Sequence, residues 1–125
     1  MTPATAIDML DRQLSAHGED CILRRKEGAP LTTKDCTVRA SVRDLTAQEL
    51  VSTGMQAASE VIMSMTQVLA AGWPAGHVVT PGAVDPRTPR ANDFIVIKGK
   101  QRQVKVAKPK AIDDIIVRVV LTVEG

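Results

Sequence analysis

The stretch that most constrains this chain lies at its end. From Ile115 to Val123, Val117, Val119, Leu121 and Val123 fall on one face of an extended backbone, and Ile116, Arg118, Val120 and Thr122 on the other. The same period of two runs through 35–43, where Cys36, Val38, Ala40 and Val42 alternate with Thr37, Arg39, Ser41 and Arg43. On a helix this spacing would scatter the apolar side chains around the axis. These segments therefore belong in a sheet with one face buried. Phe94–Ile97 and Gln101–Ala107, joined by Lys98-Gly99-Lys100, read as a hairpin with a tight glycine turn. Lys108-Pro109-Lys110-Ala111 is expected to break it. Residues 20–26 and 58–64, the latter built around Val61-Ile62-Met63, supply further strands.

Helical spacing occurs at the front. Thr2 can cap a helix over 2–17, Pro3 suits its first position, and Ile7, Leu10 and Leu14 form an apolar stripe that must pack on something. His17-Gly18 closes it, with Gly18 expected in a left-handed conformation. Residues 44–50 read as a connection with one helical turn near Thr46–Leu50, and 64–72 as a brief helix ended by Gly72. Four of the seven prolines then fall between Pro74 and Pro89, so 74–92 reads as a long flexible Pro-rich loop. The sum is a mainly β (α+β) single domain over 1–125. It is a small antiparallel β-barrel or sandwich of about six strands, with an N-terminal helix as lid and one or two short helices. The β core is expected over 20–64 and 93–124.

Composition narrows the function. A chain of 125 residues can bury a real core. With Trp73, Phe94 and no Tyr, that core is aliphatic, and the aromatic platforms of single-strand nucleic-acid readers are missing. No apolar run approaches membrane-spanning length, and the N-terminus lacks a signal-peptide pattern, so synthesis in the cytoplasm and no membrane partner are expected. A net charge of +2 implies no nucleic-acid partner by itself.

Motifs of chemistry are scarce. Cys21, Cys36, His17 and His77 show no metal-ligand spacing, and the two cysteines read as buried thiols. His17-Gly18-Glu19-Asp20 reads as a helix end and acidic turn, better than as part of a nucleophile–base pair. No glycine-rich phosphate loop occurs. No cofactor, metal or catalytic residue is assigned, and an enzyme is not expected. The hairpin cations Lys98, Lys100, Arg102 and Lys105 form either a DNA-facing stripe or a solvated face, and Arg24-Arg25-Lys26 reads as plain surface. The 74–92 loop combines apolar anchors, Trp73, Val78, Val79 and Val84, with Arg87 and Arg90. That mix fits an arm ordering against a partner subunit or facing a channel.

Several strings are familiar. Leu10-Asp11-Arg12-Gln13-Leu14-Ser15-Ala16-His17-Gly18-Glu19-Asp20 with Leu23-Arg24-Arg25, Thr37-Val38-Arg39-Ala40, Val61–Gln67 leading to Ala71-Gly72-Trp73-Pro74, and the terminal Ile116–Gly125 together resemble small head-completion proteins of tailed phages and prophages. These are also called head–tail connector or neck proteins. The resemblance covers nearly the whole chain, though the 74–92 stretch departs from the shorter central loop of many relatives. It implies a small β-barrel with flanking helices, monomeric when free. On assembly it would form a ring below the portal that retains packaged DNA and offers a docking surface to the tail. The implied partners are further copies of itself, portal or adaptor and tail proteins, and non-specific contact with packaged DNA. The implied location is the host cytoplasm, then the virion neck. A tail-terminator or tail-completion ring protein, and a small nucleic-acid-binding barrel, are the alternatives.

Overall fold

The computed structural model describes residues 2–27, 32–54, 58–73, 87–113 and 115–124. Its strands are β1 (Glu19–Glu27), β2 (Thr32–Asp44), β3 (Ala58–Met63), β4 (Phe94–Ile97), β5 (Lys100–Ile112) and β6 (Ile115–Glu124). They close into a barrel in the order β1-β2-β3-β6-β5-β4, every neighbouring pair antiparallel, with β4 returning to β1. A barrel, not a sandwich, thus satisfies the alternation. The inward parity of each strand fills the interior with Cys21, Leu23, Val38, Ala40, Val61, Met63, Ile95, Val104, Val119, Leu121 and Val123, all buried and none aromatic. Closure leaves no free sheet edge where the strands overlap.

Helix α1 (Pro3–His17) begins as its sequence dictates: Thr2 Oγ accepts from the Thr5 N–H at 3.2 Å, and Pro3 takes the first helical position. It packs on β2 and β6 through Leu14. Arg39, on the outer face of β2, donates to the Leu14 and Ser15 carbonyls at 2.9 and 3.3 Å, satisfying the open end of the helix. Asp11 accepts from the Ser64 and Thr66 hydroxyls, pinning α1 to the start of α3 (Thr66–Ala71). Helix α2 (Ala47–Thr53) runs longer than the single expected turn because Thr46 and Glu49 form a reciprocal capping box.

Two expectations fail for stated reasons. Gly18 is extended, at φ −87° and ψ −171°, not left-handed. A glycine is needed because a Cβ there would lie 2.6 Å from the Leu14 carbonyl oxygen and 2.7 Å from that of Ala40. The Lys108–Ala111 segment does not end the hairpin, since β5 continues to Ile112 and pairs Pro109 with Val119. Val104 still exchanges backbone hydrogen bonds with Asn92 and Asp93, and beyond it β5 has no strand on that side among the described residues, the setting in which a strand accepts proline. Register shifts at Val104/Val106 and Lys110/Ala111 let this β5–β6 arm continue past the barrel.

Candidate functional site

The three candidate surfaces are the two ends of the barrel and a groove on its outside. One end is closed by a buried ion pair. Arg25 follows Cys21 and Leu23 on the inward parity of β1, so its side chain enters the barrel while Arg24 and Lys26 stay on the outer face. This overturns the reading of Arg24-Arg25-Lys26 as plain surface. Arg25 is 3% exposed, as is Asp93, and its Nε and Nη2 donate to the two Asp93 carboxylate oxygens at 2.8 Å each. Nη2 also donates to the Thr88 carbonyl at 3.2 Å, and the guanidinium stacks 4.5 Å from the centre of the Trp73 ring. Asp93 accepts in turn from the Arg90 N–H at 2.9 Å.

That cluster holds Trp73, just before the expected loop arm, and Thr88 to Asp93 at its far end. Trp73 is buried, and its indole N–H donates to the Lys34 carbonyl at 2.9 Å. It anchors the start of the loop to the barrel instead of offering surface to another subunit. At the far end of the loop Thr88 and Pro89 are buried, Arg87 is half-buried and Arg90 is exposed. Val78, Val79 and Val84 lie outside the described residues, as does the rest of 74–86.

The opposite end is a charged mouth. Lys98 and Gly99, at φ 52° and 80°, make the two-residue turn between β4 and β5 with both central residues in the left-handed region, matching the right-handed twist of the strands. Arg102 lies opposite Ile95, on the inward parity. Its Nη1 donates to Ser59 Oγ at 2.8 Å, and Ser59 donates to Asp44 at 2.8 Å. Arg102, Lys98 and Lys100 share a cavity of about 350 Å³ with Glu19 and Asp44. Arg102 Nε and Glu19 Oε1 are buried with no hydrogen-bond partner among the described residues. The four hairpin cations therefore do not make one outward stripe: Lys98, Lys100 and Arg102 line the mouth, while Lys105 is exposed on the outer wall and donates to Gln103 at 3.1 Å. Mixed with two carboxylates, the mouth is a poor track for a run of phosphates.

The third surface is an apolar groove of about 740 Å³ between α1 and the β5–β6 arm. Met9 and Leu10 form one wall, and Ile112 and Val117 the other. Met9 is 53% exposed, so its apolar surface is uncovered in the single chain.

Cys21 and Cys36 are free and buried. Burial, with Glu19 and Asp20 nearby, pushes the Cys21 thiol up to about 11, and burial raises that of Cys36 as well. Among the described residues no three His, Cys, Asp or Glu side chains gather as a metal set, and no helix is long and apolar enough to cross a membrane. Compared with known proteins, the chain matches no family model and no curated protein.

The groove and the buried ion pair escaped sequence reasoning. The ion pair carried a signal: Arg25 shares parity with Cys21 and Leu23, and Asp93 shares parity with Ile95 and Ile97. The groove needed the extension of β5 past Pro109, against which local chemistry argued.

Proposed function

We propose that this chain is a structural head–tail connector of a tailed phage or prophage. It forms a ring below the portal, retains packaged DNA and presents the docking surface for the tail. The observation that carries the reading is the open apolar groove between α1 and the β5–β6 arm, in a small closed barrel whose sequence resembles neck proteins. A groove of this size, with half-exposed Met9 on its wall, suits a chain that completes its burial on assembly. The channel-facing role expected for Trp73 finds no support in its buried position. Retention of DNA would rest instead on the ring as a whole.

Deleting the gene in a lysogen, inducing the prophage and imaging the lysate tests this directly. The expected result is separate tails beside heads that package DNA and lose it. Intact tailed particles would remove the connector reading. Full, DNA-retaining heads beside tails of uncontrolled length would point to the tail-terminator alternative.

A further inference from the structure

The geometry points to the groove between α1 and the β5–β6 arm as the seat of an acidic amphipathic helix from a partner protein. The inference rests on the reading of this groove as an assembly surface, and it names the chemistry of what fills it.

The groove's own side chains specify the occupant. Its walls are apolar, with Met9 and Leu10 facing Ile112 and Val117. Its rim carries Arg12, Lys110 and Arg118, and none of the described residues that line it is a carboxylate. Lys110 and Arg118 lie directly opposite each other in the β5–β6 register, and both are exposed. Like charges so placed repel, and among the described residues neither has a carboxylate partner. Arg12 meets Asp8 at 2.7 Å across one helical turn, an exposed pair of little strength. A carboxylate arriving from outside would relieve the repulsion between Lys110 and Arg118 while apolar side chains beside it covered Met9.

Shape selects a helix. The wall that α1 contributes runs from Ala6 to His17, about 17 Å of helix axis, enough for about three turns of a helix laid beside it. An acyl chain in so open a groove would keep much of its surface in water, whereas a small-molecule site encloses most of its ligand. A helix brings its own polar outer face and needs only one buried stripe. A second cavity of about 230 Å³ shares Leu10 and Arg118 with the groove and reaches Leu14 and Ile62, a place for one apolar anchor of that stripe. A second copy offering the same groove would set Arg12, Lys110 and Arg118 against their own counterparts, which disfavours a like-with-like dimer.

The test selects a displayed library of helical peptides against the full-length chain. The peptides are about four turns long, with leucine fixed along one stripe and each flanking position drawn equally from Glu, Lys and Ser. Recovered peptides should favour Glu over Lys at the flanks by about tenfold. The double variant Lys110→Glu/Arg118→Glu, selected in parallel, should reverse that bias, and Met9→Asp should weaken binding of the recovered peptides by about tenfold. No recovered peptide, no charge bias, or a bias unchanged in the double variant would overturn the proposal. So would self-association of the chain that Met9→Asp abolishes, because the groove would then belong to a second copy. In the lysogen, Lys110→Glu/Arg118→Glu should fail to complement the gene deletion. Full complementation by that variant, where the deletion itself loses particles, would sink the helix docking and leave the connector reading standing. Glu-biased binding together with normal particles from the deletion would do the reverse.

Discussion

The two ends of the barrel contain the same kinds of side chain and treat them oppositely. At the closed end one arginine meets one carboxylate with both polar edges matched, a carbonyl takes a further N–H, and a tryptophan ring covers the guanidinium. At the mouth an arginine reaches its carboxylate only through Ser59, and two charged side chains keep an unsatisfied atom. The difference follows from what lies over each end. Trp73 and the Thr88–Asp93 segment cap the first and exclude water, so every polar atom there must find a protein partner. No such cap covers the mouth among the described residues, and it opens between the 98–99 turn and the end of β2. An arginine inside a barrel is thus a structural rivet at one end and an adaptable polar group at the other.

The largest expected effect is at the rivet. Asp93→Asn keeps the shape of the side chain and removes the carboxylate that pairs with buried Arg25, which should cost about 3–5 kcal/mol in urea unfolding. It should also release the 87–93 segment, seen as faster hydrogen exchange at Arg90 and Asp93. Arg102→Met at the mouth should cost no more than about 1 kcal/mol, because Ser59 retains Asp44 as its acceptor and the buried, unsatisfied Nε is removed with the side chain. Equal losses from the two substitutions would break the contrast between the ends.

The smallest effect is a pH dependence. In the folded barrel Cys21 keeps its proton up to about 11, against an ordinary value of 9.0. Above pH 9 the unfolded chain gives up a proton that the folded one holds, so stability is fully present below pH 9 and falls as pH rises toward 11. Urea titrations across that window should show the decline, and Cys21→Ala should flatten it. Because Glu19 and Asp20 contribute to the shift, Glu19→Gln should shrink it in part, which would tie the thiol to the mouth.

Much of the fold was legible because strands declare themselves by parity. The alternation at 35–43 and 115–123 gives the inward face of β2 and β6 residue by residue, and only Val42 and Val117 sit near its margins. What was not legible depended on contacts distant in sequence. Arg25 and Asp93 are 68 positions apart, and neither charge looks like a core residue until the barrel brings them together. Gly18 was read for its backbone freedom, whereas its reason is the close approach of the Leu14 carbonyl and of the Ala40 carbonyl across the sheet. Pro109 was read as a stop because a proline usually is one. Its tolerance depends on β4 being only four residues long.

That same proline also guards an edge of the sheet. Beyond Val104 one long side of β5 has no strand beside it among the described residues, the kind of edge that templates further strands. Pro109, flanked by exposed Lys108 and Lys110, takes an amide out of that side and surrounds it with like charge. An approaching strand would thereby be denied a continuous ladder of hydrogen bonds on that side.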